Sequence, residues 1–139
     1  MSDINLKIII ALARTYNKVF SKAAKNIESF GLNPSEFGVL EMLHHKGGQP
    51  VQKVAEKILV TSGTITYVID KLVKKGLIRR RQCEKDKRVF YVELTDKGSS
   101  IIKEIFPKHK KAIDEMFKHV NGEVKSMLLN SLIVLQEKV

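Results

Sequence analysis

The segment TSGTITYVIDKLVKK, residues 61–75, carries two kinds of chemistry on one helical repeat. Ile65, Val68, Ile69, Leu72 and Val73 recur at helical spacing and define an apolar face. The other side of the first turns carries Thr61, Ser62, Gly63, Thr64, Thr66 and Tyr67. A helix that needs only solubility would show Glu, Lys and Gln there. Small hydroxyl residues instead let another backbone approach closely, and their oxygens donate and accept hydrogen bonds. Thr64, Tyr67 and Lys71 fall at three- and four-residue spacing on one stripe, flanked by Thr66 and Lys74. The plainer alternative is that Thr61 and Ser62 only cap the helix and the rest is ordinary surface. A second cluster follows. Arg79, Arg80 and Arg81 run along one short segment, and Lys85, Lys87 and Arg88 crown the next turn. Asp86 stands two residues before Arg88, a spacing at which a carboxylate can brace a guanidinium. The alternative there is a solvated turn whose ion pair contributes little.

The balance of the chain narrows the chemistry. Its 139 residues fit one compact domain, and 43% apolar content can build a core. The formal charge is +10 and the pI about 9.7. Residues 46–98 hold 13 Lys and Arg against 6 Asp and Glu, a net +7, and the other 86 residues carry only +3. Charge meant only for solubility would spread evenly. Concentrated around the hydroxyl-rich helix and the basic turn, it implies a nucleic acid partner. A helix of this kind suits the DNA major groove, where hydroxyls reach base edges and phosphates and the positive end of the helix dipole faces the backbone. A thin basic loop suits the minor groove, where negative potential attracts Arg.

Other classes lack their signatures. There is no phosphate-binding loop, nucleophile elbow or dinucleotide fingerprint, so no catalytic residue and no cofactor are expected. His44, His45, His109 and His119 form no metal-ligand spacing, and no metal is expected. The single cysteine, Cys83, excludes an internal disulfide and suits a reducing, cytoplasmic setting. The longest apolar run, residues 8–13, is far too short to span a membrane, and no membrane partner is expected. Two non-enzymatic alternatives stay open: a winged-helix adaptor that binds protein and not specific DNA, and a weakly selective DNA coat.

The elements that must position these residues are mostly helices. Residues 4–30 carry apolar positions at three and four, and Gly31 is a plausible stop. Asn33-Pro34-Ser35-Glu36 reads as a helix start, with Asn33 as N-cap and Glu36 completing a capping box. That helix should end at Gly47. Gln49-Pro50 opens a short helix over residues 51–59, and the hydroxyl-rich helix follows, ending at Gly76. Residues 77–82 and 88–94 have strand composition and flank a charged tip, a β-hairpin. Thr95 should cap a helix over residues 96–119, kinked at Pro107, and residues 124–138 form a last helix. The expected fold is therefore mainly α with a small β-wing, a winged helix-turn-helix over residues 31–98. Residues 1–30 and 99–139 hold more apolar surface than that lobe can cover, so a second copy of the chain is the simplest partner for them.

At these residues the sequence resembles the MarR family of bacterial transcriptional regulators. The motif runs from Asp86 through Arg88 to Leu94-Thr95 and Gly98, and Ser62 to Leu72 with Lys75-Gly76-Leu77-Ile78 and Arg80 resembles the recognition helix and its exit. The resemblance covers nearly the whole chain. It implies a homodimeric repressor that reads a palindrome with two recognition helices about 10 bp apart. It also implies an intertwined interface of the first and last helices and a small phenolic or lipophilic effector in a cleft beside them. Residues 33–37 and 62–68 look most like the methylhydroquinone-resistance regulators of Gram-positive bacteria, which repress quinone-detoxifying enzymes. Tyr16, Phe20 and Phe37 are the candidate effector residues; aromatic residues at helical spacing also serve simply as core. The peroxide sensors of the family carry a reactive cysteine near the start of the first helix. This chain has none there, and Cys83 falls in the wing.

Overall fold

The computed structural model describes residues 3–58 and 62–139. The element order is α1 (Ile4–Glu28), α2 (Pro34–Lys46), β1 (Gln49–Pro50), α3 (Val51–Ile58), α4 (Ser62–Lys74), β2 (Ile78–Gln82), β3 (Phe90–Leu94), α5 (Asp96–Met116) and α6 (Gly122–Lys138). The architecture is a winged helix-turn-helix carrying long terminal helices.

Local chemistry sets most boundaries. The Asn33 side chain accepts from the Glu36 amide at 2.8 Å, and the Glu36 carboxylate accepts from the Asn33 amide at 3.0 Å, closing the capping box that starts α2. Gly47 ends α2 at φ 75, in the left-handed region open to glycine. Thr95 accepts from the Gly98 amide at 3.1 Å to start α5, and its hydroxyl donates to the Gly76 carbonyl at 2.6 Å. Helix α5 continues past Pro107. Of the two expected caps of α4, Thr61 lies outside the described residues, and Ser62 is the first residue of the helix.

The sheet differs from expectation in one strand. Gln49 and Pro50 do not simply lead into α3; they pair antiparallel with Val92 and Tyr91, giving the order β1-β3-β2. Two residues carry no readable alternation, so this strand exists through its pairing alone. In the hairpin, Ile78 faces Leu94, Arg80 faces Val92 and Gln82 faces Phe90. Arg88 and Val89 belong to the tip and not to β3.

The core lies inside the lobe. Val39, Leu40, Val54, Ile69, Leu72, Val92 and Ile102 are fully buried. On α4, Ile65, Val68, Ile69 and Leu72 face inward as the spacing predicts, but Val73 is 36% exposed. The helical repeat carries position 73 past the edge of the apolar face. Glu36 is buried beneath this core and accepts from Lys75 Nζ at 2.7 Å, so its charge is compensated where α4 ends. The expected inward face of α1 is mostly uncovered: Ile9, Tyr16 and Phe20 are exposed and Ile27 is buried. Helix α6 has no buried residue.

Candidate nucleic-acid interface

The capping, packing and register described above bring α4 and the hairpin to one side of the lobe. Burying Ile65, Val68, Ile69 and Leu72 rotates the opposite face of α4 outward. Thr64, Thr66, Tyr67, Lys71 and Lys74 are all exposed there. Tyr67 has 63% of its surface free, and Lys71 Nζ sits 5.8 Å from the centre of its ring. Ser62 and Gly63 form the first turn of the same helix.

The wing tip is folded by its own side chains. Asp86 Oδ1 accepts from the Arg88 amide at 3.0 Å, a turn closed by a carboxylate in place of a carbonyl. The same carboxylate accepts from Arg88 Nε at 3.2 Å and Nη2 at 3.3 Å. The guanidinium and then the amide of Arg88 hold the Asp86 carboxyl below its ordinary range. Gln82 Nε2 donates to the Lys87 carbonyl at 2.8 Å, and the Cys83 amide to the Val89 carbonyl at 2.8 Å, fastening the tip to the strand ends. Arg88 remains 91% exposed despite the brace, so its charge is aimed and available. Lys74, Lys85 and Lys87 have no ion-pair partner among the described residues.

The three consecutive arginines separate. Strand alternation puts Arg79 and Arg81 on the outer face, where Arg79 Nε lies 3.0 Å and Arg81 Nε 3.9 Å from Glu93 Oε1. Arg81 also packs over the Tyr91 ring at 5.0 Å. Arg80 faces the other way and meets Asp70 of α4. Arg79 is therefore set apart from Thr66 and Arg88, which line one groove of about 790 Å³ together with Arg80, Asp86 and Phe90. Sequence reasoning missed Asp70, Arg80 as its partner, and Glu93. The opposite charge at Asp70 and the alternation through residues 79–81 were visible signals, but the pairings depend on three-dimensional register.

The aromatic candidates do not form one cluster. Tyr16 and Phe20 stack at 4.6 Å on the exposed surface of α1. Phe37 is buried in α2, with its ring 4.8 Å from that of His109. His109 Nδ1 lies 2.8 Å from Asn26 Oδ1, and burial pushes its imidazole below the ordinary value. Cys83 is half-buried with a free thiol. Among the described residues no group of three or more His, Cys, Asp or Glu could hold a metal ion, and no helix is long and apolar enough to cross a membrane.

A helix-turn-helix with an exposed hydroxyl and basic helix beside a braced basic wing defines a class, the winged-helix nucleic-acid readers. Residues 32–90 match the MarR family. The chain is 43% identical over 132 residues to the HTH-type transcriptional regulator MhqR of Bacillus subtilis (strain 168), covering 95% of this chain and 91% of that protein. It is 32% identical to the HTH-type transcriptional repressor MdtR of the same organism, over 79% of this chain and 68% of that one. A MarR family transcriptional regulator from Streptomyces coelicolor, solved in complex with DNA, shares the fold at TM-score 0.90 with 18% identity, over 99% of this chain and 89% of its own. The chain belongs to the MarR family, whose members are transcriptional regulators and not enzymes.

Proposed function

We propose that this chain is a cytoplasmic, sequence-specific regulator of transcription that binds double-stranded DNA as a homodimer and represses from a palindromic operator. A small phenolic or quinone-like effector releases it. The observation that carries the reading is the shared exposure of the α4 face and the braced wing on one side of the lobe. Thr61, Ser62, Gly63, Thr64, Thr66 and Tyr67 serve close approach and base contact in the major groove, and Lys71 and Lys74 serve phosphates. Lys85, Lys87 and Arg88 enter the minor groove, with Asp86 orienting Arg88. Arg79 contacts backbone phosphate from the outer edge of the wing. The exposed apolar surfaces of α1 and α6 support a twofold partner, with residues 1–30 and 99–139 as the dimerisation region and residues 31–98 as the DNA lobe. The identity to MhqR and the resemblance at residues 33–37 and 62–68 support the quinone reading. The exposed stacked rings of Tyr16 and Phe20 would offer aromatic surface to such a ring, whereas Phe37 is buried and could only back the site from within the core.

The test is selection from a random duplex library at fixed salt, followed by titration of the selected DNA with methylhydroquinone. An enriched inverted repeat that is released by the quinone is expected. A repeat indifferent to the quinone would remove the effector assignment. Failure to enrich any sequence would contradict specific DNA binding and favour the adaptor.

A further inference from the structure

We propose that Asp70 is a selectivity-setting residue: it withholds Arg80 from phosphate and ties the wing to the recognition helix. The inference rests on the DNA-reading function above. Asp70 is out of place by charge. It sits on an exposed helix face shared with Lys71 and Lys74, where an acid repels the polyanion that the helix meets. Its position has a local explanation. Arg80 Nη2 donates to Asp70 Oδ1 across the gap between α4 and β2.

Arg80 differs from its neighbours. Arg79 and Arg81 share Glu93 on the outer face of the sheet, whereas Arg80 points toward α4 and lines the groove that also holds Thr66, Asp86 and Arg88. A free guanidinium in that groove would meet phosphate on any duplex. On random DNA, where no base contact fixes the register, it can settle on the nearest phosphate. On the operator the base contacts of α4 hold the register and leave it less to gain, so the ratio between operator and random DNA falls. Pinned on Asp70, it gives up that contact. It also fixes the distance between the helix that enters one groove and the wing that enters the next. The pair is partly solvated, with the Arg80 side chain 38% and that of Asp70 48% exposed, so it adds little to folding stability. Its conformational role can therefore be separated from its structural one.

The experiment compares wild type, Asp70→Ala, Arg80→Gln and the double variant on the selected duplex and on a random duplex, each across a salt series. Melting curves check that all four fold. Asp70→Ala is expected to raise random-duplex affinity about three- to tenfold near 0.1 M salt and to steepen the salt slope by about 0.9, the signature of one new phosphate contact. The ratio of operator to random affinity should fall. In the Arg80→Gln background the same substitution removes only a repulsive charge, so it should raise affinity for both duplexes equally and leave their ratio unchanged. A ratio that falls equally without Arg80 would reduce Asp70 to a simple charge and overturn the proposal, as would an unchanged ratio in Asp70→Ala. A wild-type protein that selects no duplex would overturn the DNA-reading function itself, and this inference with it.

Discussion

Arg88 concentrates the residue-scale argument. A long cationic side chain on a thin loop normally samples many rotamers, and binding must order it at a cost in entropy. Here Asp86 holds the guanidinium through two contacts and the turn through a third, so much of that ordering precedes binding. Arg88→Ala should weaken DNA binding and reduce the salt slope by about 0.9 if the side chain neutralises one phosphate. Fluorescence anisotropy across a salt series measures both, and an unchanged affinity would take the wing out of the interface. The Asp86–Arg88 brace was readable from a two-residue spacing because both partners lie in one turn. The Glu36–Lys75 and Asp70–Arg80 pairs were not readable, being 39 and 10 residues apart and joined only by packing.

At the scale of elements, the junction of β2, β3 and α5 carries the most specific constraint. An added Cβ at Gly98 would stand 1.9 Å from the Leu77 carbonyl oxygen, far inside the sum of the carbon and oxygen van der Waals radii. Backbone cannot yield as a flexible side chain can, so the first turn of α5 would have to move from the turn at Leu77 that leads into β2. Gly98→Ala should cost about 3 kcal/mol or more, at the upper end of overpacking effects, read by urea unfolding. A loss under about 1 kcal/mol would show that α5 can slide without penalty. The requirement for glycine was visible in the Leu-Thr-x-x-Gly motif, but its cause lies in a contact with residue 77 that no periodicity encodes.

A second element-scale junction is titratable. His109 of α5 meets Asn26 of α1 and Phe37 of α2. Burial depresses its folded-state pKa, so the unfolded chain takes up the proton first as pH falls. Stability is thus full above the unfolded value of about 6.5 and declines as pH drops from there toward the lower folded value. Melting temperature measured between pH 7.5 and 5 should show this fall, and His109→Gln should flatten it. An identical profile in the variant would assign the titration to other groups. Capping signals made most helix boundaries legible, whereas β1 was not, because a two-residue strand has no pattern of its own.

At the scale of the whole molecule, the unmatched surface decides the architecture. Leu6 and Leu129 are 58% and 60% exposed, and they belong to apolar stretches of α1 and α6 that the lobe leaves uncovered. Exposed apolar surface of this kind is what an interface between chains would cover. The sequence indicated too much apolar surface for one core, and the separate chain leaves that surplus on the terminal helices. A twofold arrangement would cover it and would fix two α4 helices at a set separation, converting single half-site contacts into recognition of an inverted repeat. The most direct test is the mass and affinity of the complex formed on a selected inverted repeat and on the same duplex with one half-site scrambled, by sedimentation at stated salt. Two chains per intact duplex, with affinity dropping at least tenfold when one half-site is lost, is the predicted result, since losing a half-site removes several base contacts at once. One chain per duplex, or equal binding to both DNAs, would contradict the account.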